Sequence, residues 1–139
     1  MIGNEREDTF VRNHRWAAIT TLRNDGSPST SLVAYGVEDD TIVISVTADK
    51  LKARTIENDP RVTVCVVSNA EPFNYVTIEG DATIQRENVR PSTERVFENI
   101  GAAGYNSPED LDTWIEEQER VIIRVQPRRV HGVIRSHAR

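Results

Sequence analysis

The feature that most constrains the fold is a series of short β-branched runs separated by turn-forming residues. These runs are rich in Val, Ile and Thr and cover residues 16–22, 29–37, 41–46, 61–68, 74–85, 121–125 and 130–134. Runs of this length and composition are typical of strands bounded by turns. Six or seven such strands with few crossover helices predict a mainly β (α+β) fold, a closed antiparallel barrel with helices packed outside it.

Turn chemistry between the runs predicts how consecutive strands connect. Residues 24–27, Asn-Asp-Gly-Ser, favour a hairpin turn between the first two strands. Residues 38–40, Glu-Asp-Asp, turn the chain into the third strand, so the first three strands are predicted to form a meander. A loop that contains Pro72 is predicted to connect the fourth and fifth strands.

Helices are predicted at residues 4–14, 49–58 and 87–100, and a fourth is predicted after residue 107. Phe10 and Val11 are the expected buried pair of the first helix. Asp49 is the expected N-cap of the second, which ends before Pro60. Ser107 is the expected N-cap of the fourth, because a following Pro and acidic residues are typical of a helix start.

Length and charge exclude several classes of protein. The 139 residues suffice for one domain, 1–139, and the formal net charge of −5 argues against a nucleic-acid-binding protein. No apolar run approaches the length that spans a bilayer, and the N-terminus lacks the apolar core of a secretion signal. A cytoplasmic location is therefore expected. The single cysteine, Cys65, lies in an apolar run and is expected to be a small buried residue.

A cluster of cations follows the third predicted strand. Lys50, Lys52 and Arg54 lie within five residues at the start of a predicted helix, and Ser45 and Thr47 place hydroxyls at the end of the strand. Free N–H groups at a helix start, the helix dipole and nearby cations all attract an anion, so this segment can bind a phosphate. The alternative interpretation is a solvated basic patch on a surface helix.

Helix geometry limits how these cations can meet. If residues 50–54 were all helical, Lys50 and Arg54 would share a face and Lys52 would point the other way. The three side chains converge on one anion only if Lys50 precedes the first helical turn.

Few residues suggest catalysis by the protein itself. The three histidines, His14, His131 and His137, are scattered along the chain, and no glycine-rich phosphate-binding motif is present. The carboxylates at 38–40 lie in a predicted turn, where solvation explains them best. If the protein is an enzyme, a bound cofactor is expected to carry the chemistry while the protein supplies grip and orientation.

Five segments, in order and with little insertion, resemble the split β-barrel flavoenzymes, the pyridoxamine 5′-phosphate oxidase-like proteins. The segments are residues 16–28, 45–54, 58–62, 74–80 and 120–132. The short chain and its hairpin Leu-Arg-Asn-Asp-Gly-Ser-Pro are most similar to the flavin/deazaflavin oxidoreductase B group. The resemblance covers nearly the whole chain and implies an FMN-binding-like split β-barrel. The residues that identify true pyridoxamine-phosphate oxidases are not recognisable.

The resemblance also implies cofactors and an assembly. It implies a homodimer with two cofactors in grooves between the subunits, each cofactor being coenzyme F420 (a deazaflavin) or FMN. By position, Lys52 matches the family's phosphate-binding lysine, while Lys50 and Arg54 match flanking basic positions. Ser45 and Thr47 would add hydroxyls to the same site.

The cofactor ring is expected to lie over residues 18–22 and 29–35. Ser31 and Val33 would contact it if odd-numbered residues of the strand face the groove, a parity that the sequence leaves open. Tyr35 and Tyr75 are either wall residues or core aromatics. His131 either faces the cofactor from the partner subunit or holds an ordinary strand position.

The resemblance implies hydride transfer from a reduced deazaflavin to an unidentified small, electron-poor organic substrate. Two alternatives remain open: an FMN-dependent oxidase that uses oxygen, and a module that binds flavin, deazaflavin or haem without turnover. The deazaflavin carries a negatively charged tail beyond its phosphate, which calls for further cations in an open channel. The candidates are Arg54, Arg61, Arg128 and Arg129.

Overall fold

Seven strands and four helices make up the described part of the chain, residues 1–68, 70 and 73–135 of the computed structural model. In chain order they are α1 (Glu5–Arg12), β1 (Trp16–Leu22), β2 (Pro28–Ala34), β3 (Gly36–Glu38), β4 (Thr41–Thr47), α2 (Leu51–Asn58), β5 (Arg61–Val67), β6 (Tyr75–Gln85), α3 (Arg90–Gly101), α4 (Leu111–Glu117) and β7 (Arg120–Val133). The predictions for Pro72 and His137 fall outside the described residues. No helix in the described ranges has the length and apolar character needed to cross a membrane.

The strands form one antiparallel sheet in the order β2-β1-β5-β6-β7-β4-β3. Its centre is the long pair β6 and β7, which runs from Tyr75 opposite Val133 to Gln85 opposite Ile122 with one irregularity at Glu79/Gly80. The sequence predicts two separate strands at 121–125 and 130–134, but they are parts of the single strand β7. The sheet curls into a half-barrel, which confirms the predicted split β-barrel fold class.

Strand β4 has apolar residues on both faces because both faces are covered. Ile42 and Ile44 point into the main core, where the buried Phe10 and Val11 of α1 also lie. Val43 points the other way and packs with Ile122 and buried residues from the α3 region. Two covered faces explain why this strand is a continuous apolar run in the sequence rather than an alternating one. Helices α1 and α2 pack into the main core. Helix α3 covers the outer face of β4, and Ile115 of α4 packs against the same cluster.

The predicted meander of the first three strands pairs on both sides as expected, but its middle strand is broken. The strand predicted at 29–37 breaks at Tyr35, so that β2 pairs with β1 while β3 pairs with β4 at the opposite end of the sheet. The Tyr35 side chain is fully buried, and its hydroxyl donates a hydrogen bond to the carbonyl of Val11. The Asn99 amide of α3 donates to the carbonyls of Tyr35 (2.8 Å) and His14 (2.9 Å). These long-range bonds fix the break.

The barrel is split rather than closed. Strands β2 and β3 are the two ends of the sheet, and within the described ranges neither has a second strand partner. Tyr35 alone connects these two ends, since β2 stops at Ala34 and β3 starts at Gly36. The opening between β2 and β4 is the split of the predicted split β-barrel.

Two predicted helix caps are also corrected. Lys50, not Asp49, is the N-cap of α2, and the Asp49 carboxylate instead accepts a hydrogen bond from the Thr47 hydroxyl at 2.7 Å. Asp110, not Ser107, caps α4, since its carboxylate accepts from the Thr113 N–H at 3.1 Å. At α4, Ser107 and Asp110 can both accept hydrogen bonds, and the local turn decides which one caps. At α2 the Lys50 ammonium has no acceptor, so the helix starts without a side-chain cap.

Cys65 is half-buried rather than buried. The flanking Val64 and Val66 point into the core, so Cys65 faces the opposite side of the sheet. An apolar strand with one uncovered face places alternate residues at the surface, whatever their hydrophobicity.

Candidate functional site

A groove of about 640 Å³ lies where strands β2 and β4 separate. The ladder between β3 and β4 ends at Gly36 opposite Val43, so beyond that point β2 and β4 diverge as unpaired edges. Residues 32–34 of β2 and 45–47 of β4 line the groove. Unpaired strand edges present N–H and C=O groups to whatever lies between them. The groove therefore has hydrogen-bonding backbone on two walls.

The rest of the lining comes from the start of α2, from α3 and from the connection between α4 and β7. These lining residues are Asp49, Lys50, Lys52, Val96, Gln118, Glu119 and Arg120. Three of them are cations and two are acids, so the groove is positive on balance in a chain whose formal net charge is −5. Such a groove attracts an anionic ligand.

The start of α2 brings two of the predicted cations together. Lys50 is extended (φ −67°, ψ 147°), and the helix begins at Leu51. Lys50 therefore precedes the first helical turn. This is the condition under which the Lys50 and Lys52 side chains can converge on one anion. No side chain caps this first turn; the Ala53 N–H donates to the carbonyl of Lys50, and the N–H groups of Leu51 and Lys52 remain to point at a ligand.

The pKa of Lys52 is lowered, first by burial of its ammonium group and second by the positive charge of Lys50. Both causes act against the charged form, and both would be relieved by an anion between the two lysines. A perturbed cation that lines a groove is a frequent mark of a binding site.

The end of β4 supplies two hydroxyls with different roles. The Ser45 Oγ is buried and has no hydrogen-bond partner among the described residues. A buried hydroxyl without a partner is unfavourable, so a ligand atom in the groove would satisfy it. The Thr47 hydroxyl is already used by Asp49, and this hydrogen bond is the main reason why the pKa of Asp49 is lowered.

Arg120, at the start of β7, is a groove residue that sequence reasoning missed. Its guanidinium carbon lies 4.4 Å from the centroid of the Trp114 ring, and its Nε and Nη2 donate to the Gln118 Oε1 at 2.9 and 2.7 Å. Burial lowers the pKa of Arg120. It lies opposite Thr47 in the β4–β7 ladder. Because β4 and β7 are far apart in the chain, only the sheet order could have revealed this neighbourhood.

Two other predicted site residues lie outside the groove lining. Ser31 lies opposite Ile19 in the β1–β2 ladder and is half-buried on the core side of the sheet, outside the groove lining. Val33 lies on the same side of β2, and it does line the groove. Arg54 lines a separate groove of about 530 Å³ together with Arg23 of the β1–β2 turn. The start of α2 separates the two grooves, with Lys52 on one side and Arg54 on the other.

Two of the cations proposed for a cofactor tail are already paired. Arg61 forms an ion pair with Asp59 at 2.7 Å, and Arg128 forms one with Asp81 at 2.8 Å. Arg128 and Arg129 belong to strand β7. Of the proposed tail cations, Arg54 is the one that lies next to the groove.

The three residues with open roles now have positions. Tyr35 is a core residue, since its side chain is fully buried and hydrogen-bonded. Tyr75 is half-buried on the outer side of the sheet. The His131 imidazole lies on that same side and contacts the Glu79 carboxylate at 3.0 Å. None of the three lines the groove as the described residues define it.

A curled seven-stranded sheet that is split between β2 and β4, with a cationic groove in the split, defines a split β-barrel protein. A family model described as pyridoxamine 5′-phosphate oxidase matches residues 4–134. The chain therefore belongs to that family. No curated protein sequence matches it.

Solved structures share this fold over nearly the whole chain. An F420 reductase is 19% identical, with 92% of this chain and 98% of that protein aligned at a TM-score of 0.73. A conserved hypothetical protein from Mycobacterium tuberculosis is 25% identical, with coverages of 95% and 84% and a TM-score of 0.74. A haem-binding protein from Mycobacterium smegmatis is 22% identical, with coverages of 93% and 52% and a TM-score of 0.73. These similarities establish the fold.

Proposed function

We propose that this protein is an F420-dependent oxidoreductase that transfers a hydride to a small, electron-poor organic substrate. The observation that carries the proposal is the groove between β2 and β4, which combines a cationic end with two unpaired strand edges. Its volume of about 640 Å³ is in the range of cofactor sites. Similarity in fold to an F420 reductase supports the choice of cofactor.

The cationic end suits the cofactor phosphate. Lys50, Lys52 and the uncapped N–H groups of α2 lie at one place, and the unpartnered Ser45 hydroxyl lies on the neighbouring strand. A phosphate has enough acceptor oxygens to use all of these donors at once. The residues present therefore fit a phosphate-bearing cofactor.

The unpaired strand edges suit a flat heteroaromatic ring. A strand edge presents N–H and C=O groups in alternation, which matches the donors and acceptors along the edge of a deazaflavin or flavin ring. Val33 and the buried Val96 add apolar surface for the ring faces. Backbone recognition of this kind needs no particular side chain, which explains why the sequence carries no strong ring-binding motif.

When bound, a reduced deazaflavin supplies a hydride from its central ring carbon. The chain contributes orientation and exclusion of water, which lower the barrier without a protein nucleophile. Asp49 is unsuited to donate a proton near neutral pH, because the hydrogen bond from the Thr47 hydroxyl lowers its pKa. The proposed role of the groove residues is therefore to bind and orient.

The proposal includes a homodimer that covers the groove. Leu32 lines the groove and is 81% exposed, an unusual position for a large apolar side chain. It begins a row across the outer side of the sheet, where Ala18, Cys65 and Thr77 follow in register. This row is small or apolar and lies uncovered, as expected of a surface that packs against a second subunit.

FMN and haem are the competing ligands. FMN shares the ring type and the phosphate, so the cationic end accepts it equally well. Haem needs an axial ligand such as histidine. The described histidines lie elsewhere, since His14 stacks on Phe10 (3.9 Å between ring centroids) and His131 contacts Glu79. The lining therefore favours a phosphate-bearing ring over haem.

The absorption spectrum of the freshly purified protein, followed by titration with F420, FMN and haem, tests the proposal. We expect micromolar or tighter binding of F420 and its consumption, when reduced, with electron-poor acceptors. Affinity for F420 should fall more steeply with salt than affinity for FMN, because its exposed tail charges are screened. Tighter FMN binding at every ionic strength would overturn the cofactor assignment. F420 binding without turnover of any acceptor would support a carrier instead.

A further inference from the structure

We infer that Arg120 is an oxyanion-binding residue that contacts the phosphoryl group of the ligand from the β7 side of the groove, opposite the lysines of α2. The inference rests on the proposed function in that it uses the same groove. It goes further by assigning a phosphate contact that belongs to a different element of the fold. The ligand class is a phosphate monoester or a free phosphate.

The guanidinium of Arg120 is held in place but retains free donors. Its Nε and Nη2 donate to the Gln118 Oε1, and its Nη1 reaches the carbonyl of Ser45 at 3.4 Å. A guanidinium has five N–H groups, so one N–H on each terminal nitrogen has no acceptor among the described residues. Two free N–H groups on the two terminal nitrogens form the fork that binds oxyanions in a bidentate manner.

Comparison with Arg124, four residues further along β7, shows what Arg120 lacks. Both side chains are half-buried. The Arg124 guanidinium pairs with the Glu38 carboxylate at 2.8 Å, and it also donates to Gln85 and Ser92. Arg120 has no ion-pair partner in the described part of the chain. A desolvated cation without a counter-ion is unfavourable, and an anionic ligand supplies that counter-ion.

The unused donors of Arg120 lie beside a second unused donor. In the β4–β7 ladder Arg120 is opposite Thr47, yet its Nη1 reaches back to Ser45. The guanidinium thus contacts the backbone carbonyl of Ser45. The buried hydroxyl of the same residue has no partner within the described residues. Two hydrogen-bond donors on one wall of the groove, the Arg120 guanidinium and the Ser45 hydroxyl, therefore each have an N–H or O–H without an acceptor among the described residues.

An aromatic support fixes the orientation of the guanidinium. Trp114 lies under Arg120, and Phe97 contacts the Trp114 ring edge-on with 5.5 Å between ring centroids. Such stacking restricts the guanidinium plane while it leaves the N–H edges free. The acids of the groove do not neutralise Arg120, since Asp49 binds Thr47 and Glu119 forms no ion pair in the described ranges. Trp114 also serves as a fluorescent reporter of any ligand at Arg120.

The test compares FMN with riboflavin, which has the same ring but no phosphate. We expect Arg120→Met to weaken FMN binding by about 10- to 100-fold and to change riboflavin binding less than about twofold. Arg120→Lys should restore only part of the FMN affinity, because an ammonium cannot form the bidentate contact. Arg86→Met is the matched control, since Arg86 pairs with Glu57 on the surface away from the groove. Equal losses for FMN and riboflavin, or no loss for FMN, would overturn the inference.

A second titration separates this inference from the proposed function. Inorganic phosphate is added to the Trp16→Phe protein, in which Trp114 is the remaining tryptophan, and the emission is followed with and without Arg120→Met. Phosphate binding that disappears in Arg120→Met supports the inference even if neither F420 nor FMN binds. Binding of both cofactors with no effect of Arg120→Met on FMN or on phosphate leaves the proposed function intact and refutes the role of Arg120. Circular dichroism and thermal melting of each variant show that the fold persists.

Discussion

Lys50 and Lys52 line one groove from either side of the first residue of α2, and the charge of Lys50 contributes to the lowered pKa of Lys52. Burial of Lys52 is the larger contribution. Two like charges held together in this way are unfavourable without a ligand and favourable with an anion between them. The same pair should therefore decrease stability in the free protein and increase affinity for a phosphate.

The first prediction concerns the contribution of these cations to cofactor affinity. Lys52→Ala should weaken binding of F420 or FMN by about 1.5–3 kcal/mol, the value of a charge-assisted hydrogen bond. Lys50→Ala should weaken it less because Lys50 is exposed. Arg54→Ala should have the smallest effect on FMN because Arg54 lines the other groove. Isothermal titration calorimetry on the three variants measures these differences, and unchanged affinity in all of them would eliminate the proposed phosphate site.

The second prediction concerns the stability of the free protein at alkaline pH. The pKa of Lys52 is lower in the folded protein than its ordinary value of 10.5, so between these two values the unfolded chain binds more protons. Unfolding free energy contributed by Lys52 must therefore rise with pH across that window. Urea unfolding of the wild type and of Lys52→Met at several alkaline pH values isolates this contribution as a difference. A difference that stays constant with pH would show that the Lys52 ammonium is not destabilised by folding.

Lys52→Met should also raise the melting temperature of the ligand-free protein near neutral pH. The rise is expected to be small, on the order of 1–2 °C, because Lys52 is only half-buried. Added cofactor should reverse the order, so that the wild type melts at the higher temperature. Differential scanning fluorimetry with and without FMN is sufficient, and Arg86→Met again serves as the variant with one charge removed elsewhere.

The third prediction concerns assembly. Leu32→Lys should weaken the proposed dimer, because it places a charge at the start of the uncovered row on the sheet, where the most exposed apolar side chain of that row lies. Leu51→Lys is the matched control, since Leu51 is also exposed (41%) but lies on α2. Sedimentation velocity over a range of concentrations should show a dimer for the wild type and for Leu51→Lys. A wild-type monomer that binds cofactor tightly would contradict a site between subunits.

The fourth prediction concerns the contact that positions α3 against the groove. A Cβ at Gly36 would lie 2.7 Å from the backbone carbon of Arg95 and 2.8 Å from the nitrogen of Val96. Gly36→Ala must therefore displace α3, and we expect a loss of about 1–3 kcal/mol in unfolding free energy. Gly101→Ala, at the end of the same helix, meets no atom within 4 Å and should be neutral or slightly stabilising. Chemical denaturation distinguishes the two, and equal stability of both variants would be inconsistent with close packing at Gly36.

Local sequence patterns were sufficient for the elements but not for their arrangement. Strand β5 and the hairpin between β1 and β2 follow directly from β-branched runs and from the turn at 24–27. The break at Tyr35 depends on hydrogen bonds from distant residues, such as the one from Asn99, and no local pattern encodes it. The sequence at 29–37 therefore predicts one continuous strand, although its two halves lie at opposite edges of the sheet.

The candidate site divides in the same way. Lys50, Lys52, Ser45 and Thr47 are neighbours in the chain, so a strand-to-helix pattern was enough to group them at the groove. Arg120 reaches the same groove because β7 pairs with β4 across more than seventy residues of sequence. Pairing between strands so far apart depends on the whole sheet order, which one sequence does not determine.

The single-residue link at Tyr35 sets how a ligand can enter. Because consecutive Cα atoms are about 3.8 Å apart, the ends of β2 and β3 are tethered at a nearly fixed separation by one residue whose ring is anchored in the core. Any widening of the groove is therefore expected at the end away from Tyr35. We therefore expect ligands to enter the groove lengthwise from that far end. Inserting one glycine next to Tyr35 should loosen the connection between β2 and β3 and broaden the range of rings that fit.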